Sequence, residues 1–153
     1  DSLLAALLND KLDVVATDHA PHTIEEKQSR YLASPSGGPM VQHSLVAMLE
    51  FVHRNKLSIE KVVEKMCHAP ARLFHVKDRG FIEAGMRADL VLVDMDREWT
   101  ASHRDLHYKC GWTPLEGEIF HSKVSHTWVN GQLAYQDGLF NEMVRGERLA
   151  FDR

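Results

Sequence analysis

Thr17-Asp18-His19-Ala20-Pro21-His22 brings one carboxylate and two imidazoles together on a proline-stiffened turn. Asp and His together bind divalent metals and move protons near neutral pH. Pro21 limits the backbone freedom between Asp18 and His22, so the two keep a fixed relative aim. Read alone, the turn serves equally well as chemistry or as architecture: Asp18 is also a good cap or turn former, and His22 also fits a surface histidine. The chain holds ten histidines. His53, His75, His103, His107, His121 and His126 are scattered; of these only His103 and His107, four apart, share a helix-face spacing. His19 and His22 differ from these because they share a turn with Asp18.

A turn of this kind needs a rigid element behind it. The run Leu12–Ala16, apolar except at Asp13, reads as a buried parallel strand that delivers Asp18 at its C-terminal end. Strand ends of that type are where catalytic groups collect in barrels and open α/β sheets. An amphipathic pattern over residues 2–9 predicts a helix ahead of the strand. From Asp18 to Pro39 the chain turns polar, and Ser34-Pro35-Ser36-Gly37-Gly38-Pro39 predicts a loop. A loop this long is a functional element or a flexible surface excursion. Helices are predicted over about 41–54, after Ser58 as N-cap, and over Ala71–Phe74 behind Pro70. Strand patterns take over near Asp78. Ala88–Asp94 reads as a well-buried strand, and Val124–Val129 and Gln132–Gln136 as a hairpin around Asn130-Gly131. Trp99 and Trp128 read as core aromatics. The expected organisation is an α/β part over residues 1–76, a small antiparallel β unit over 77–140, and a charged tail over 141–153 that packs or frays.

The bulk numbers bound the function. The 153 residues are 44% hydrophobic and 26% charged, with a formal net charge of -4. This is the composition of a globular domain, and it gives no reason to expect nucleic acid or an anionic membrane as partner. No apolar run approaches the roughly 20 residues of a membrane helix. Cys67 and Cys110, far apart in sequence, read as reduced thiols of a cytoplasmic protein. The first residue is Asp1, and the chain enters directly into a helical pattern, which reads as an interior cut.

The order of parts resembles the C-terminal portion of dihydroorotases, cyclic amidohydrolases of pyrimidine biosynthesis. The resemblance rests on T-D-H-A-P-H after an apolar run, the Gly/Pro loop and Ala69-Pro70-Ala71-Arg72. It rests also on Arg79-Gly80-Phe81-Ile82-Glu83-Ala84-Gly85-Met86-Arg87-Ala88-Asp89-Leu90-Val91, similar to R-G-x-I-x-x-G-x-x-A-D-L-V. Cys110-Gly111-Trp112-Thr113-Pro114-Leu115-Glu116-Gly117 is similar to an S-P-F-E-G segment, with Thr and Leu for the usual Ser and Phe. The resemblance implies the end of a metal-dependent (β/α)8 TIM barrel plus half of a small β-sandwich. It implies a zinc site, binuclear in the family, whose H-x-H, carboxylated lysine and further histidines lie upstream. The chain would then need the N-terminal part of the same protein as its partner and would be inactive alone. A homodimer is compatible with the family.

The implied reaction is reversible hydrolysis of dihydroorotate to N-carbamoyl-L-aspartate, a small-molecule substrate. Zinc serves such chemistry by polarising the amide carbonyl and by bringing the pKa of water to about 7. By resemblance Asp18 is both metal ligand and general acid–base, and His22 binds the substrate carboxylate. Hydantoinase- and allantoinase-type relatives keep the Asp and generally lack the trailing His, since their rings lack that carboxylate. His19 is expected to be structural. The loop Gly37-Gly38-Pro39-Met40 would offer backbone groups to the ring, with Gly38 and Pro39 as substrate-binding residues, and Met40 stands where glycine is common. The same glycines would also serve a plain turn. Trp112 and Glu116 read as architectural. Two further readings stay open: another cyclic-amide hydrolase, and a non-catalytic homologue that acts as a structural partner.

Overall fold

A computed structural model describes residues 2–152. Five short α-helices precede six β-strands, so helices and antiparallel strands occupy separate halves of an α/β chain. The helices are α1 (Ser2–Leu8), α2 (Ile24–Lys27), α3 (Ser44–His53), α4 (Ile59–Val63) and α5 (Ala69–Leu73).

Helix α3 is the hub. Leu49 faces one way, into a core with Leu7 of α1, Leu57 and Val62 of α4. Val46 faces the other way and packs with Ala101 and Phe120, flanked by Trp99 and Leu115. Burying side chains of this size contributes about 1.5–3 kcal/mol each, so α3 binds the helical half to the β half. A hydrogen bond to a buried carboxylate reinforces the joint. Glu50 of α3 is 7% exposed and accepts the backbone N–H of His121 at 2.7 Å.

Ser58 caps α4, its hydroxyl accepting the N–H of Lys61 at 3.2 Å. The predicted break before Pro70 is absent, and α4 runs through one wide π-turn, Glu64–His68, straight into α5. Pro70 has no N–H to donate back, and the wide turn absorbs that missing bond without ending the helix.

The strands are β1 (Leu90–Asp94), β2 (Trp99–Thr100), β3 (Ile119–Phe120), β4 (Lys123–Val129), β5 (Gln132–Gln136) and β6 (Leu139–Phe140). They form an antiparallel sheet in the order β1-β4-β5-β6 and a small β2-β3 pair. The β4-β5 hairpin turns on Asn130 and Gly131, both at positive φ (50° and 78°), as a two-residue hairpin requires. Strand β1 is not well buried: Val91 and Leu92 are 46% and 51% exposed. The tail does pack. Lys77 donates its N–H to Ala150 at 2.9 Å, and Asp152 donates to His75 at 3.0 Å.

The expected strand over Leu12–Ala16 does not form. No strand runs beside it among the described residues, and Leu12 is 38% exposed. A strand without a ladder partner has no backbone bonds to hold it as one. Lys65, nearly fully buried, fixes the segment instead. Its ammonium donates to the Leu12 carbonyl at 2.7 Å and pairs with Asp10 at 2.9 Å, while its own carbonyl accepts the Val15 N–H at 3.1 Å.

Candidate active site

Asp18 sits at the end of that pinned segment with a left-handed backbone, φ 43°. Asp tolerates this conformation better than most residues. Its side chain is exposed and makes no hydrogen bond or ion pair among the described residues. The backbone just beyond it is zipped to the glycine loop. His19 and Gly38 form a parallel bridge, and Ala20 donates its N–H to the Gly38 carbonyl at 3.1 Å. Asp18 and Gly38, twenty residues apart, are thereby held on one floor.

The His19 ring is committed to this floor. Its Nδ1 accepts the Val41 N–H at 3.2 Å, and the ring stands edge-on to Tyr108 at 5.2 Å. Acceptance at Nδ1 leaves the proton of the neutral ring on Nε2.

His22 is half-exposed, and its Nδ1 lies 3.5 Å from Glu26. Glu26 is itself held by a capping box: Thr23 donates its N–H to the Glu26 carboxylate at 2.8 Å, and the Thr23 hydroxyl accepts the Glu26 N–H at 3.3 Å. The sequence T-x-x-E is the signature of that box, so this part of the polar stretch is a helical turn and not loop throughout. Nε2 of His22 has no partner among the described residues. The ring therefore presents one free nitrogen while the other is aimed by α2.

Three residues build the rest of the floor, and of these only Trp112 lies in a motif that the sequence shows. Lys27 donates its ammonium to the carbonyls of Pro35 (2.6 Å) and Gly37 (3.0 Å) and lies 6.0 Å over the Trp112 ring. Trp112 donates its indole N–H to the His22 carbonyl at 2.7 Å. Tyr108 donates its hydroxyl to the Pro39 carbonyl at 3.3 Å. Burial pushes the Tyr108 phenol above its ordinary value, so the hydroxyl remains a donor. Pro39 is fully buried beneath this contact. Glu116 acts farther away. It accepts both the backbone N–H of His103 (2.6 Å) and its Nδ1 (3.0 Å), a bond that lowers the carboxyl's pKa.

Among the described residues no three His, Cys, Asp or Glu side chains converge on a point. The exposed, unpartnered carboxylate of Asp18 fits one oxygen ligand of zinc, which accepts carboxylate donors. A complete zinc site needs donors from elsewhere.

Comparison with known proteins shows which family the chain resembles. The chain is 38% identical over 140 residues to the dihydroorotase of Pyrococcus abyssi, covering 92% of this chain and 33% of that protein. The dihydroorotase of Halobacterium salinarum is 44% identical over 119 residues, 78% of this chain and 28% of that protein. A solved D-hydantoinase from Thermus sp. superposes with a TM-score of 0.86 at 30% identity, covering 92% of this chain and 32% of its own. The chain thus spans about a third of the length of the relatives it matches. The model described as the amidohydrolase family matches residues 38–135, from the glycine loop through the β4-β5 hairpin. With that match running over most of its length, the chain belongs to the amidohydrolase family.

Proposed function

We propose that this chain is the C-terminal third of a zinc-dependent dihydroorotase. In this reading residues 1–76 supply the last strand and closing helices of a (β/α)8 barrel, 77–140 supply half of a β-sandwich, and 141–153 form a tail. The segment Leu12–Ala16 would become a strand once neighbouring strands from the rest of the protein flank it. The observation that carries the proposal is the pairing of a partner-free Asp18 with a partner-free His22 Nε2 on one braced turn.

The roles follow from the chemistry. When bound, zinc would supply Lewis acidity at the ring carbonyl, with Asp18 as one of its ligands. Asp18 would take the proton from the attacking water and return it to the departing ring nitrogen, which opens dihydroorotate to N-carbamoyl-L-aspartate. His22 would bind the substrate carboxylate through Nε2. A nearby anion favours the protonated ring, which strengthens the contact. Gly38 and Pro39 would set the ring against the loop backbone.

A hydantoinase activity is the second reading, favoured by the superposition on the D-hydantoinase. His22 argues against it, because a hydantoin ring brings no carboxylate for that nitrogen to bind. The test is hydrolysis of dihydroorotate against an unsubstituted hydantoin by the full-length protein, with and without Asp18→Asn. Turnover of dihydroorotate that disappears in the variant is expected. A preference for the hydantoin, or a variant that keeps full activity, would overturn the assignment.

A further inference from the structure

The β half reaches into the candidate site through residues 108–114, and each of the three proposed substrate-binding residues touches this strap. His22 is held by its carbonyl through the Trp112 indole at 2.7 Å, and Pro39 by its carbonyl through the Tyr108 hydroxyl at 3.3 Å. Gly38 lies under the same indole: a Cβ built on it would stand 3.9 Å from Cη2 of Trp112. Lys27 sits 6.0 Å over that ring and ties down the Pro35 and Gly37 carbonyls.

We propose that Trp112 is a positioning residue that sets the aim of His22 for the substrate carboxylate. The inference rests on the dihydroorotase reading above. His22 lies between the Ala20 turn and the one-turn helix α2; Glu26 faces its ring at Nδ1, but no local bond holds its carbonyl. Its N–H is closed locally on the Ala20 carbonyl at 2.9 Å. Its carbonyl is fixed only from 90 positions away in sequence, by the indole. Removing the indole N–H frees that carbonyl to seek water and lets the peptide rotate. The imidazole then loses its aim while the ring packing of the strap stays in place. Asp18 is braced separately, through the Ala20–Gly38 bond and Lys65, so the chemical step is spared.

The test is steady-state kinetics on the full-length protein with Trp112→Phe. A second variant carries benzothienylalanine at the same position, which keeps the bicyclic shape and replaces the N–H with sulfur. Losing one hydrogen bond of this kind should raise KM for dihydroorotate about three- to tenfold, with kcat within about twofold. In a His22→Ala background the same change should leave KM where His22→Ala already put it, because Trp112 acts through His22. An unchanged KM in both variants overturns the inference, and so does an equal rise in the His22→Ala background. A merely structural role would give that equal rise. If the unsubstituted full-length protein fails to hydrolyse dihydroorotate, the proposed function and this inference fall together. If it does hydrolyse dihydroorotate, only the variants decide the inference.

Discussion

Gly37 and Gly38 are neighbours in sequence, yet the geometry assigns them opposite tolerances. Gly37 has φ 88°, and a Cβ placed on it would lie 2.7 Å from the Cβ of Ala20. A left-handed conformation costs a residue bearing a Cβ about 1–2 kcal/mol. The contact is also roughly 1 Å inside the 3.5–4.0 Å optimum for carbon pairs. Ala20 cannot yield alone, because its N–H is bound to Gly38 and Pro21 follows it. Gly37→Ala should therefore lose at least about 2 kcal/mol, relieved in part by displacing the turn that carries Asp18 and His22. Gly38 is not at a left-handed angle, and a Cβ there would stand 3.8 Å from Pro114 and 3.9 Å from Trp112, ordinary contacts. Gly38→Ala should change stability by no more than about 0.5–1 kcal/mol, of either sign. Denaturant midpoints and kinetics of both variants in the full-length protein make the comparison. Gly37→Ala should fall in both stability and kcat/KM, whereas Gly38→Ala should keep its stability within that narrow range. Equal losses, or a Gly37→Ala protein indistinguishable from the unsubstituted one, would refute the reasoning.

His22→Ala should raise KM for dihydroorotate by about tenfold or more while kcat changes little, as expected for loss of a charge-assisted contact. An unchanged KM in steady-state assays would remove His22 from the site. Stability should also decline in two acid phases. His43 is 1% exposed, and neither ring nitrogen has a partner. Burial, helped by repulsion from His107, lowers its pKa from the ordinary 6.5. The unfolded chain then takes up a proton that the folded one refuses, so stability falls as pH drops below 6.5. His43→Leu should flatten that phase. Burial raises the Glu50 carboxyl, but the His121 backbone N–H and ring and the nearby His53 outweigh it, leaving the pKa below the ordinary 4.5. Glu50 therefore stabilises the fold above that pH and loses its contribution as pH falls through the lowered pKa. Glu50→Gln should flatten this second phase. Denaturant midpoints measured from pH 7 to pH 3 check both, and unaltered acid limbs would contradict the assignments.

The local signals in the sequence carried the hairpin, the Ser58 cap and the apolar stripe of α3, because each depends on residues within a few positions of one another. The D-H-A-P-H turn was equally legible, since its chemistry lies in adjacent side chains. Lys65, Lys27 and Tyr108 were not, and Trp112 was legible only as an architectural residue, without its partner. Each acts through a bond to a distant backbone carbonyl, and a carbonyl has no sequence identity to read. The Leu12–Ala16 expectation shows the opposite failure. Its apolar run is a true strand pattern, yet strand formation depends on partners that no residue of the run specifies. Pro70 misled for a related reason: a proline suited to open a helix can also sit inside one where the chain widens a turn ahead of it, as it does here.

The account stands on the Asp18 carboxylate reaching a zinc ion that the rest of the protein helps to hold. A crystal structure of the full-length protein grown with zinc, with the ions placed from anomalous scattering at the zinc edge, measures this directly. A carboxylate oxygen of Asp18 about 2.0–2.2 Å from an ion is the predicted result. A fully loaded site with Asp18 turned to solvent and water in its place would contradict it.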